Sequence, residues 1–156
     1  MTPTRPWLRF RVGPPREGWC SVKLEVAEQC FESSFSHVPA DTLRKLLEAA
    51  DAVATGPATR TVVLHEEPSE IELTLVREVG ESVKLAVVRY PDRRRSMPGE
   101  TVADRVLDAH DVARAVWRGF RDLEGRCTAD AYQREWHNGF PKRELDNLGA
   151  HVNDRG

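Results

Sequence analysis

From Thr59 to Leu107 the chain keeps a two-residue hydrophobic period through three successive runs, with no helical period between them. Thr61-Val62-Val63-Leu64 is largely β-branched. Ile71, Leu73 and Leu75 alternate with Glu70, Glu72 and Thr74, and Val83, Leu85 and Val87 alternate with Lys84 and Ala86. Successive strand side chains point to opposite faces, so these runs read as strands with one apolar face. The breaks at Glu67-Pro68-Ser69 and Glu78-Val79-Gly80-Glu81 are turn-like. A meander of this kind pairs antiparallel and weighs against a doubly wound parallel sheet. The segment Thr101 to Leu107 fits either a fourth strand or the first turns of the helix that follows.

The same period appears at the N-terminus. Leu8, Phe10 and Val12 alternate with Arg9 and Arg11, and Gly13-Pro14-Pro15 ends the run because proline cannot continue a central strand. Cys20, Val22, Leu24 and Val26 alternate with Ser21, Lys23 and Glu25, and residues 30–38 are expected to pair back as a third strand. The period then changes. Leu43, Leu46, Leu47, Ala50, Val53 and Ala54 recur at three- and four-residue steps, predicting a helix over 40–54 with Pro39 at its first position. Asp41 suits its positive end and Gly56-Pro57 its stop.

A second helix is expected from about Ala109 to Leu123, with Asp108 or Asp111 as cap and Gly125 as its end. Its stripe of Val112, Ala113, Val116, Trp117, Phe120 and Leu123 places Trp117 in the core. Thr128 to His137 reads as a short helix capped by Thr128, followed by a last helical turn near Leu145 and Leu148 and a frayed Asn-Asp-Arg-Gly end. Tyr132, Trp136 and Phe140 share a helical spacing that docks this tail on the sheet or on the second helix. The expected fold class is α+β: a mainly antiparallel sheet, helices on one face, and a helical C-terminal tail. One domain over 1–156 is expected, with its core at about 7–124 and the docked tail at about 128–149.

Composition narrows the function classes. The 156 residues carry 23 basic and 25 acidic side chains for a net charge of −2, which argues against a dedicated nucleic-acid binder. No apolar run approaches the roughly 20 residues a bilayer span requires. The first residues lack a signal-peptide core, so the expected location is cytoplasmic. Nineteen of the basic residues are Arg, the coding bias of a GC-rich bacterial genome. Three cysteines without CxxC spacing indicate neither a disulfide framework nor a zinc knuckle. The five histidines show no ligand spacing, and His65-Glu66-Glu67 would point to alternate strand faces, so no metal is expected. Glycine loops for nucleotides and the GxSxG elbow are missing, and no cofactor is expected.

Charge is distributed unevenly. Arg60 to Glu81 holds six acids against two arginines, a balance of −4, whereas Lys84 to Arg95 holds five bases against Asp92 alone, a balance of +4. These charges either pair across a solvated sheet face or present a polarised surface to a protein partner. On the second reading the partner-binding residues are Glu66, Glu67, Glu70 and Glu72 together with Arg93, Arg94 and Arg95.

Four blocks together suggest a family. They are Pro39-Asp41-Leu43-Leu46-Leu47, Glu70-Ile71-Glu72-Leu73-Thr74-Leu75, Asp111-Val112-Ala113-Ala115-Val116-Trp117-Phe120-Leu123 and Trp136-Phe140-Pro141-Glu144-Leu145. Over roughly residues 19–148 this layout resembles the small α+β immunity proteins of bacterial polymorphic-toxin and contact-dependent systems. The resemblance implies a non-enzymatic inhibitor that binds and neutralises a toxin domain, with no binding residues to carry over. The alternative is an adaptor, chaperone or subunit of a larger bacterial assembly, and behind both stands an enzyme without a recognisable motif.

Overall fold

The computed structural model describes residues 7–153. The rest of the segment read for a leader lies outside the described residues, as does the end expected to fray beyond Asn153. The elements run β1 (Leu8–Val12), β2 (Trp19–Val26), β3 (Gln29–Ser36), α1 (Thr42–Thr55), β4 (Ala58–His65), β5 (Glu70–Arg77), β6 (Ser82–Tyr90), β7 (Glu100–Asp108), α2 (Ala109–Arg126), α3 (Ala129–Trp136) and α4 (Lys142–Asn153). The α+β class holds, but the strands divide into two antiparallel sheets, β1-β2-β3 and β4-β5-β6-β7. Residues 101–107 belong to the fourth strand of the meander, with a bulge where Val87 and Val88 pair with Ala103 and Thr101.

Register follows the hydrophobic pattern. Phe10 faces Leu24, Leu24 faces Phe31 and Cys20 faces Phe35, so one side of the first sheet is apolar apart from Ser33, which lies opposite Val22. Cys30 lies opposite Glu25 on the other side, so it does not meet Cys20. Cys20 donates to Gly13 O at 3.0 Å, and burial pushes its thiol up to about 12. It behaves as a small buried hydrophobe. In the meander Val62, Leu73, Val87 and Ala103 form one buried row across all four strands. The first sheet crosses one end of the second: Ser33 bonds Glu66, Glu32 O accepts from Arg89, and Gln29 accepts from the Asp104 N–H.

Helices α1 and α2 pack together beneath both sheets, α1 on β4 and β5, α2 on β1, β6 and β7. The first begins at Thr42 with Asp41 as its cap. Pro39, expected at the first helical position, lies three residues earlier. The second is capped by Asp108, whose carboxylate accepts from His110 N and Asp111 N, and it runs through Gly125 to Arg126. Gly125 therefore does not end it. Trp117 is only partly buried, held between Arg121 and Gly149 of α4. The expected last turn is a twelve-residue helix, α4, which lies on α1 and α2. Its apolar pattern is thin, with only Leu145, Leu148 and Gly149 buried, which hid its length.

The tail is anchored by aromatics. Tyr132 and Trp136 are fully buried; Trp136 packs edge-on against Phe35 and donates to Asp41 Oδ1 at 2.8 Å. Beside it the His37 and His137 rings stand 4.7 Å apart. Burial first, and His137 second, hold His37 below the usual histidine range, against a smaller opposing pull from Asp41. As pH falls through about 6.5 the unfolded chain gains this proton before the folded chain does. The contribution is present above that pH and is lost as pH drops toward the depressed folded value. The urea midpoint should therefore fall between pH 7.5 and 5.5, and His37→Gln should flatten that fall. An equally steep profile in the variant would exclude His37 as its source.

Gly119 is a point of close backbone approach. Here α2 rests on β1, and an added Cβ would sit 2.6 Å from Phe10 Cδ1 and 2.7 Å from Phe10 O. A backbone oxygen cannot swing away, so overpacking outweighs the ~1 kcal/mol that alanine gains in helix propensity. Gly119→Ala should lower stability by about 1 kcal/mol or more in urea unfolding. A raised midpoint would show that the helix can retreat.

Candidate functional site

Two charged regions stand out. The first is the end of the meander sheet where the acidic and basic segments meet. The loop after β6 turns at Asp92–Arg95, where Asp92 Oδ1 accepts from the Arg95 N–H at 3.0 Å and Arg95 takes a left-handed φ of 51°. This aims the guanidinium back over the sheet. It donates to Glu70 Oε1 at 2.8 Å, contacts Glu72 Oε2 at 2.7 Å and lies 4.1 Å from the centre of the Tyr90 ring. Hydrogen bonds from Arg95 to these two carboxylates raise its own pKa. Glu70 is buried.

Glu66 is held equally firmly. It accepts from Ser33 and Ser69, both at 2.8 Å, and pairs with Arg89 at 3.4 Å. His65 Nδ1 is buried without a hydrogen-bond donor or acceptor, 3.6 Å from Glu70. Burial, then Arg93, hold His65 below the usual histidine range. Of the seven residues expected to bind a partner, Glu66, Glu70, Glu72 and Arg95 are thus joined to one another or to the sheet. Glu67, Arg93 and Arg94 are exposed, and their side chains make no hydrogen bond or ion pair among the described residues.

The second region was not singled out from the sequence. Where α2 meets β1, the solvent face of the first sheet and the flank of the helix enclose an open cleft of about 1160 Å³. Six cationic side chains line it, Arg9, Arg11, Lys23, Arg114, Arg118 and Arg126, against Glu32, Asp111 and Asp122. Strand alternation puts Arg9 and Arg11 on the wet face of β1. Helical spacing puts Asp111, Arg114, Arg118 and Asp122 in one stripe along α2.

Their engagement differs. Arg126 donates to Asp122 at 2.8 Å and to Val12 O at 2.7 Å, and so belongs to the scaffold. Arg114 reaches His110 Nδ1 at 3.1 Å and Lys23 lies 3.4 Å from Glu25. The side chains of Arg9, Arg11 and Arg118 make no hydrogen bond or ion pair among the described residues. The signal that would have found them is the strand alternation of Arg9 and Arg11 combined with the i, i+4 pair of Arg114 and Arg118.

Asp108, His110 and Asp111 bring their ligand atoms within 4.8 Å of one another. This group is engaged in holding the helix. Asp108 caps α2, while the two His110 ring nitrogens contact Val152 O and Arg114. Among the described residues no helix is long and apolar enough to cross a membrane. The chain matches no family model, no curated protein and no solved structure.

Removing Arg95 tests the first region. Arg95→Met would leave the Glu70 carboxylate buried without its principal cation, at a cost of about 1–3 kcal/mol. Chemical unfolding at pH 7 should show that loss. An unchanged midpoint would mean that Glu70 is satisfied by other groups.

Proposed function

We propose that the chain is a non-enzymatic protein-binding module, most specifically an immunity protein that binds and neutralises a bacterial toxin domain. The observation that supports this reading is the cleft between β1 and α2. Three of its cations, Arg9, Arg11 and Arg118, have no side-chain partner among the described residues, while most charges at the end of the meander sheet pair with one another. A concave surface with a surplus of one sign focuses its field outward and speeds docking of a complementary surface. The exposed Glu67, Arg93 and Arg94 offer a second, smaller set of contacts. The layout of strands and helices that resembles immunity proteins supplies the particular role.

The test is capture by the tagged full chain from lysate of its native cell, with mass spectrometry of what is retained. The expected result is one stoichiometric partner carrying a toxic domain, whose activity falls in proportion to added chain. The association rate should drop steeply as salt rises from roughly 50 to roughly 500 mM, because screening shortens the Debye length from above ~10 Å to about 4 Å. A clean bait, or a partner whose activity is untouched by saturating chain, would overturn the reading.

A further inference from the structure

Two features of the cleft work against the stability of the chain itself. On β1 and β2, Arg11 stands directly opposite Lys23 on the solvent face. On α2, Arg114 and Arg118 stand four residues apart on the same stripe. Like charges facing each other across a strand pair, or at i, i+4 on a helix, are destabilising. Both juxtapositions line the same cleft, and Trp7, about half exposed at 53%, lies at its margin.

We infer that this cleft receives a short acidic segment of a protein partner, with carboxylates repeating about every 6–7 Å. This rests on the reading of the chain as a protein-binding module and specifies what that module recognises. The spacing follows from the two walls. Alternate residues on β1 place Arg9 and Arg11 roughly 7 Å apart along the strand. Four residues of α2 place Arg114 and Arg118 about 6 Å apart along the axis. Each wall therefore offers cations at the repeat that an extended or helical acidic segment presents in carboxylates.

The length follows from the acids. Along the α2 stripe, Asp111 precedes Arg114 and Asp122 follows Arg118, so the cationic stretch is bounded by a carboxylate at each end. On the sheet wall Glu32 stands opposite Lys23 and bounds the row that contains Arg11, and Glu25 stands opposite Arg9 and bounds the row beside it. A polyanion running through the cleft would have to pass these carboxylates. A protein segment places two or three carboxylates between them and neutral residues beyond. The mixed-sign walls therefore favour a protein segment over a nucleic-acid strand, whose charge is uniform along its length. Trp7 supplies the kind of aromatic that anchors protein interfaces.

The test uses the full chain and a fluorescent nine-residue peptide with three glutamates at alternate positions among serines, followed by anisotropy. A single-stranded oligothymidylate of twelve nucleotides serves as the second probe. The peptide should bind saturably and more tightly than the oligonucleotide. The Arg9→Glu, Arg118→Glu double variant should weaken peptide binding about tenfold or more, while a Lys45→Glu, Lys84→Glu control changes it less than twofold. Because the cleft cations repel one another, Arg118→Gln should leave the melting temperature unchanged or raise it. Tighter oligonucleotide binding, no peptide binding, indifference to the double variant, or a lowered melting temperature would each overturn the inference. If the captured native partner binds the double variant as well as the unaltered chain, the cleft assignment fails and the binding-module reading stands. If no partner is captured by either, that reading fails, and the peptide assay still decides the cleft.

Discussion

The contact on which the arrangement depends is the seating of α2 on the free edge of β1. Gly119 lets the helix backbone come down against Phe10 O, Phe120 stacks on Phe10 with ring centres 5.9 Å apart, and Arg126 donates to Val12 O. An edge strand otherwise offers unpaired carbonyls to any passing strand. Here two of those carbonyls meet the helix. The same contact ties the first sheet to the helical layer, since α2 also packs on β6 and β7 of the other sheet. It fixes the cleft as well, because the flank of α2 can face the wet side of β1 only if the helix lies alongside that edge.

Much of the secondary structure was written in periodicity. The two-residue period of the meander and the three- and four-residue steps of Leu43 to Val53 each identify an element and its buried face. What periodicity left unread came from tertiary context. Residues 101–107 became a strand because β6 offered an edge to pair with; the unbroken register from Val83–Leu107 to Val87–Ala103 turns Leu107 and Ala103 inward, and the bulge lies beyond them. Pro39 suggested an early helix start, but Asp41 caps the helix and also receives the Trp136 indole, so the first turn is set by the tail. Helix α4 shows little apolar stripe because it lies over α1 and α2 and buries few side chains. Gly149 serves there by admitting Trp117, a role with no signature in the sequence.

The charged regions were legible to different degrees for a physical reason. Opposite charges close in sequence, on neighbouring strands of one meander, must come near each other, so the rim of Glu66, Glu70, Glu72 and Arg95 was visible as a run of acids followed by a run of bases. Proximity also gives those groups partners within the chain, and Glu70 and Glu66 became parts of the sheet. The cleft draws Arg9 and Arg11 from one end of the chain and Arg114 and Arg118 from the other. No local composition reports that meeting; only the packing of α2 on β1 produces it.

This contrast bears on which charges serve the fold. A carboxylate buried beside a guanidinium, as Glu70 is beside Arg95, is held because separating the two would strand a charge out of water. Arg9, Arg11 and Arg118 have no such reason to stay. Each is solvated, none is needed to satisfy a neighbour among the described residues, and Arg11 faces Lys23 at close quarters. Local rules of strand and helix design favour opposite charges; Arg9 obeys them in facing Glu25, whereas Arg11 opposite Lys23 and Arg118 four residues from Arg114 depart from them, both in one concave place. Departures of that kind are characteristic of positions that answer to something other than folding. In a chain with a net charge of −2, this local surplus of cations is the feature that the proposed binding of an acidic segment would use.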